Sequence, residues 1–124
     1  MATGYAHATI EQQFLAETIR KAKYAAKTTR NLAFLVDLDY VIGLLKAQDG
    51  KCAITGWDLE FTRGGTFKGS MNPRGCTMDR IDNDKGYIRG NIQLTCVLPN
   101  MIRGTMSLES FKSLCNDVVA HTGK

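Results

Sequence analysis

The chain has 124 residues, 44% hydrophobic and 23% charged, which allows one modest core and excludes two domains with separate cores. No apolar run reaches the length of a bilayer, and the start MATGYAHATIEQQ has no basic region followed by an apolar one. The expectation is a cytoplasmic protein with no membrane association. The formal charge of +4 is mild, and only its distribution is informative.

From Thr9 to about Arg30 the residues favour helix. Thr9 followed by Gln12 can form a capping box. Ile10, Phe14, Thr18, Ala22 and Ala25 recur with a helical period and can face a core. Arg20, Lys23, Lys27 and Arg30 then form a stripe on another face. Such a stripe can track phosphates or can simply be a solvated face. The apolar run LAFLV follows, and LDYVIGLLKAQDG reads as a second amphipathic helix. Asp37 or Asp39 would be its cap, Leu38, Val41, Ile42 and Leu45 one face, and Gly50 its stop. KCAITGWDLEF suggests a short strand, a turn near Gly56 and a second strand. Thr62 to Gly75 is polar and Gly-rich and should be a loop. Near the end, Ser107 caps a closing helix with Leu108, Phe111, Leu114, Cys115 and Val118 as its buried face.

The four cysteines, Cys52, Cys76, Cys96 and Cys115, are widely spaced and include no C-x-x-C. They read as reduced, mostly buried thiols, and a zinc cluster is not expected. His7 and His121 lie near the termini and are not expected to bind metal.

The informative segment is CTMDRIDNDKGYIRGNIQLTCVLPNMIR, Cys76 to Arg103. Thr77–Ile81 can be a strand. Asp82, Asn83, Asp84 and Gly86 are turn formers, and Tyr87–Leu94 a returning strand kinked at Gly90-Asn91. Pro99 suits the first turn of a helix beginning near Asn100. The pattern is a hairpin followed by a short helix. Asp79 comes from one element and Asn100 from the other, so their side-chain oxygens can converge if the helix packs across the hairpin. Trp57 and Tyr87 read as packing residues rather than stacking platforms. Residues 51–104 carry eight Lys/Arg against five Asp/Glu. A basic surface with embedded carboxylates suits a polyanion, with a cation between the two.

The ordered set D-R-I-D, K-G-Y, G-N-I-Q, N and R resembles the ββα-metal finger of the HNH endonuclease superfamily. It is most similar to the small stand-alone forms common in bacteriophage and prophage genomes. QDGKCAITGW and SLESFKSLC resemble the lead-in strand and the closing helix of those proteins. The likeness covers 38–119, with the finger at 76–104 and residues 1–30 as an N-terminal helical extension. The fold implied is α+β, a mainly helical single domain (1–124) around a β-hairpin followed by a short helix.

The resemblance also implies roles. Asp79 and Asn100 are metal ligands, and Asn91 ties the hairpin loop together through backbone hydrogen bonds. Arg103 can contact phosphate. Asp79, Arg80, Asn91 and Asn100 together make the catalytic set. The cofactor implied is one Mg²⁺ or Mn²⁺ ion, which hard oxygen donors suit. The partner implied is DNA, double-stranded, and a homodimer would let two fingers cut both strands. Lys51, Lys85, Arg89, Arg20, Lys23 and Lys27 join Arg80 and Arg103 as candidate nucleic-acid contacts. In this chain Arg80 stands where the family usually carries its general-base histidine. A guanidinium cannot accept a proton near neutrality but can clamp a phosphate. A base would have to be Asp82, Asp84, Tyr87, Glu60 or a metal-bound hydroxide. The expected function is a metal-dependent DNA endonuclease. The alternative is a DNA- or protein-binding module of the same fold that does not cut.

Overall fold

The computed structural model describes residues 8–64 and 71–123. His7, Lys68 and the middle of the polar segment Thr62–Gly75 lie outside the described residues. The order is α1 (Ile10–Ala25), a π-helical turn (Ala26–Arg30), α2 (Leu38–Ala47), β1 (Cys76–Arg80), β2 (Ile92–Cys96), α3 (Val97–Arg103) and α4 (Leu108–Thr122). The architecture is α+β: four α-helices and one two-stranded antiparallel sheet among the described residues. No helix among them is long and apolar enough to cross a membrane.

Three helices start at side-chain caps. Thr9 and Gln12 form a reciprocal capping box at α1, Asp37 accepts the N–H of Tyr40 at α2, and Ser107 accepts that of Ser110 at α4. α3 starts differently. It follows β2 without a loop, and its first turn has no side-chain cap. The N–H groups of Val97 and Leu98 donate instead to the carbonyls of Gly75 and Pro73, at 2.9 and 3.0 Å. Those distant carbonyls satisfy donors that would otherwise be orphaned. The helix therefore begins three residues before the expected position near Asn100, with Pro99 inside its first turn, where a missing N–H costs nothing.

The returning strand is also shifted, to Ile92–Cys96 rather than Tyr87–Leu94. Tyr87 is engaged elsewhere. Its N–H donates to Ala33 and its carbonyl accepts from Leu35, so it pairs in parallel with Phe34 of the LAFLV run. Gly86 must be glycine for this pairing, since a Cβ there would lie 2.5 Å from the Ala33 carbonyl oxygen. The two expected strands around Gly56 are reduced to isolated pairings, Lys51 with Asp58 and Glu60 with Gly75.

The core lies between the hairpin and the first two helices. Leu15, Val41, Leu94 and Cys96 are fully buried at its centre, joined by Ile92, Met78 and Val36. Gln48, just past α2, brackets Leu94: its Oε1 accepts the Leu94 N–H at 3.0 Å and its Nε2 donates to the Leu94 carbonyl at 2.8 Å. Two expected faces differ from those observed. Ile10 is 70% exposed, and Leu15 with Thr18 forms the buried part of α1. On α4 only Phe111 is buried, while Leu108, Leu114, Cys115 and Val118 are exposed. These helices read correctly as amphipathic, but their orientation depends on neighbours that periodicity does not name.

Candidate functional site

Asp79 lies near the end of β1 and is 3% exposed. Its register partner on β2 is Gln93, whose Nε2 donates to Asp79 Oδ2 at 2.8 Å. Arg103, at the end of α3, donates from Nη2 to Asp79 Oδ1 at 2.6 Å. The same guanidinium donates to the carbonyls of Arg80 (3.0 Å) and Met106 (2.6 Å), and its Nε has no partner among the described residues. Arg103 is thus buried, with both of its terminal amino groups engaged. It does not sit at the surface as a phosphate contact, because the only carboxylate beside it is buried and needs a counter-charge.

Arg80 closes the loop that follows it. Its Nη1 donates to the carbonyls of Asn83 and Lys85 at 2.6 and 3.0 Å, and its guanidinium lies 5.6 Å from the Tyr87 ring centre. Asn91, 5% exposed, closes the same loop from the other side. Its Oδ1 accepts the Asp82 N–H, and its Nδ2 donates to the carbonyls of Asp82 and Gly86, all within 2.9–3.1 Å. Asn100 is half-buried on α3, and its side-chain amide makes no hydrogen bond among the described residues.

Asp79, Arg80 and Asn100 line one cleft of about 490 Å³. Its opposite wall is α1 with the π turn: Thr18, Lys21, Ala22, Ala25 and Arg30. Arg63 and Tyr87 also line it. Four cations, Lys21, Arg30, Arg63 and Arg80, therefore face a space whose single carboxylate is already paired with Arg103. Such a cleft concentrates anions.

The π turn explains why Arg30 is there. Each residue of a π turn advances less around the axis than in an α-helix, which swings Arg30 away from the Arg20–Lys23 side and beside Ala22 and Ala25. The expected stripe is thereby divided. Arg20 and Lys23 line a different groove with Phe34 and Leu38, and Arg20 is paired with Glu17 at 2.7 Å. Lys27, Lys85 and Arg89 are exposed and outside the cleft, with Arg89 over the Tyr40 ring. Lys51 is bonded to Asp58. The residues that sequence reasoning missed are Lys21, Arg63 and Gln93. Lys21 had a signal, since it shares a face with Thr18, Ala22 and Ala25. Arg63 had none: its place depends on its bonds to Thr18 Oγ1 (3.0 Å) and the Phe14 carbonyl (3.2 Å), 45 and 49 residues away.

Of the candidate bases, only Tyr87 lines the cleft, and its hydroxyl accepts from Arg30 Nη1 at 2.6 Å. Asp82 accepts the Asp84 N–H within the turn, and Glu60 accepts from Asn72. Among the described residues no three His, Cys, Asp or Glu side chains are grouped to hold a metal ion. Cys52, Cys76 and Cys96 are buried and Cys115 is exposed. Burial pushes the thiols of Cys76 and Cys96 up to about 12.

The donor chemistry of Asp79 and Asn100 fits a hard divalent ion in one circumstance. A carboxylate offers about four lone-pair sites, of which Arg103 and Gln93 take two. The Asn100 amide, without a partner among the described residues, adds one neutral oxygen. One compensated carboxylate among cations is a weak resident site, but Mg²⁺ is commonly held by one or two carboxylates together with substrate phosphate. No protein-family model matches the chain, and neither does any curated protein or solved structure.

Proposed function

We propose that this chain is a metal-dependent endonuclease of the HNH type, with β1, β2 and α3 as its ββα-metal finger (76–104), acting on DNA phosphodiester bonds. One observation carries the reading: a strand carboxylate, Asp79, and a helix amide, Asn100, line one cleft whose other charged lining groups are all cations. Lys21, Arg30 and Arg63 draw phosphates into the cleft. Arg80 spends Nη1 on the loop and keeps its other amino group for a phosphate oxygen. Arg103 and Gln93 fix the orientation of the Asp79 carboxylate, as outer partners of a metal ligand do. Asp79 and Asn100 would hold Mg²⁺ or Mn²⁺ jointly with a substrate phosphate. When bound, that ion stabilises the negative charge that develops on the phosphate oxygens. Asn91 keeps the loop between the strands in shape.

A second reading, a DNA- or protein-binding module of the same fold that does not cut, is favoured by one feature. Among the described residues Tyr87 is the only cleft-lining proton acceptor besides Asp79, and it is held by Arg30. Loss of a general base typically costs about 10²–10⁴ in rate. The two readings separate in a cleavage assay with single-stranded circular DNA and supercoiled plasmid, in Mg²⁺, Mn²⁺ or EDTA. Metal-dependent cutting that disappears in Asp79→Asn and Asn100→Ala supports the endonuclease. Intact DNA in both metals, with salt-sensitive binding retained, supports the module.

A further inference from the structure

We infer that a divalent ion and a nucleic-acid phosphate each strengthen the binding of the other in the Asp79 cleft, and that Gln93, neutral where a second carboxylate could stand, sets this dependence; this rests on the endonuclease reading above and describes how its site is filled. Asp79 is the one carboxylate that lines the cleft among the described residues, and it is compensated before any ligand arrives. Arg103 donates to Oδ1 at 2.6 Å and Gln93 to Oδ2 at 2.8 Å. Four further cations, Lys21, Arg30, Arg63 and Arg80, line the same cleft. With Arg103, five positive charges stand against one negative. A divalent ion entering this space meets more charge that repels it than charge that attracts it. The free chain therefore holds such an ion weakly.

Phosphate reverses the sign. Each backbone phosphate brings a negative charge, which neutralises a cleft cation. It also offers the ion further hard oxygens, and Mg²⁺ is commonly bound in this way where the protein supplies only one or two carboxylates. Coupling of this kind is reciprocal. The factor by which nucleic acid tightens the ion is the factor by which the ion tightens nucleic acid. Gln93 is what keeps the free site weak. It is the register partner of Asp79 on β2, so the two side chains share one face of the hairpin. Its amide reaches Oδ2 as a donor and satisfies the carboxylate without adding charge. A glutamate there would set a second carboxylate beside the first. Two like charges so close are relieved by a cation between them. The ion would then be resident and would no longer depend on phosphate.

The test is fluorescence anisotropy with the full chain and a labelled DNA strand, alone and annealed to its complement, using whichever binds tighter. Affinity is measured at one ionic strength in EDTA and in Mg²⁺ or Mn²⁺. Mn²⁺ uptake by the chain without DNA is followed by loss of the free-ion electron paramagnetic resonance signal. Competition for phosphates alone makes a divalent ion weaken DNA binding. The expected result has the opposite sign: DNA binds at least fivefold tighter with either ion, within the usual range of coupling, roughly 5–150-fold. Asn100→Ala should lose that gain. Without DNA the chain should take up little Mn²⁺ at a concentration that saturates the complex. Gln93→Glu should bind Mn²⁺ without DNA at least tenfold tighter than the unaltered chain. Gln93→Leu, which removes the same hydrogen bond but adds no charge, should not. DNA binding that the ions leave unchanged or weaken overturns the coupling, while metal-dependent cutting that is lost in Asp79→Asn leaves the endonuclease reading standing. Tight Mn²⁺ uptake by the unaltered chain without DNA overturns it too. So does a Gln93→Glu chain that is folded by circular dichroism and gains no Mn²⁺ affinity, or a Gln93→Leu chain that gains as much. Absence of salt-dependent DNA binding in every condition removes the nucleic-acid reading, and this coupling with it.

Discussion

Arg103 and Asp79 form an ion pair almost without water, Nη2 to Oδ1 at 2.6 Å, with side chains 1% and 4% exposed. It joins the end of α3 to β1 and holds the carboxylate on which the proposed chemistry depends. Removing one partner leaves the other buried and uncompensated. Arg103→Met is therefore expected to lower stability by about 3–5 kcal/mol, and Asp79→Leu by a similar amount. The double variant should lose much less than the sum of the two. Urea denaturation of the four proteins measures the coupling, and additive losses would show that the pair does not act as a unit.

Asn91→Ala removes three hydrogen bonds from the loop between the strands and leaves the Asp82 N–H and the Gly86 carbonyl without partners, while the Asp82 carbonyl keeps the Lys85 N–H. The expected loss is about 2–3 kcal/mol. Faster hydrogen exchange should appear first at the Asp82 amide. Unchanged protection there would mean that the loop is held by Arg80 alone.

Gly86→Ala tests the packing of the loop against the LAFLV run. The added methyl would lie 2.5 Å from the Ala33 carbonyl oxygen, a backbone atom that cannot step aside alone. A loss of about 1–3 kcal/mol is expected, as for other overpacked sites. Ala33→Gly should not restore it, since the clash is with backbone. Thermal midpoints of the three proteins decide this.

The thiols give a pH prediction. Cys76 and Cys96 are raised from an ordinary 9.0 to about 12 in the folded chain, chiefly by burial. Between those values these two thiols keep protons in the folded chain that they have lost in the unfolded one. Their contribution to stability is full below about pH 9 and falls as pH rises toward 12, outweighing the opposite shift of Cys52, where burial is overcome by hydrogen bonds that lower it. A thermal midpoint that holds constant from pH 9 to 11 would contradict this. At pH 8 an Ellman titration should find one fast thiol, Cys115, and three more on denaturation.

The charged residues outside the cleft provide the contrast. Lys51→Ala and Arg20→Ala remove side chains paired with Asp58 and Glu17, and neither lines the cleft. Nucleic-acid affinity should change less than twofold in each. Lys21→Ala should lower the slope of log affinity against log salt by one phosphate contact, about 0.7 on single-stranded and about 0.9 on double-stranded DNA. A Lys51→Ala effect as large as that of Lys21→Ala would relocate the binding surface.

The elements that could be read along the chain were those whose hydrogen bonds are local. Thr9, Asp37 and Ser107 each cap a helix through a bond to the residue three positions on, so α1, α2 and α4 were legible from composition and spacing. The hairpin and the following helix were legible in kind, because turn formers and a Pro-containing segment flank apolar runs. Their limits were not, because Tyr87 pairs with Phe34 and α3 is capped by the carbonyls of residues 73 and 75.

The sequence by itself thus determined the helices, the turn chemistry and the presence of Asp79, Asn91 and Asn100 in one order. Tertiary structure decided which charges share a space. It turned Arg103 inward to Asp79, turned Arg20 and Lys23 away, and brought Lys21, Arg30 and Arg63 to the cleft. The physical reason is range. A cap or a turn is settled within a few residues, whereas the face a cation presents depends on how α1 packs against a hairpin some sixty residues away.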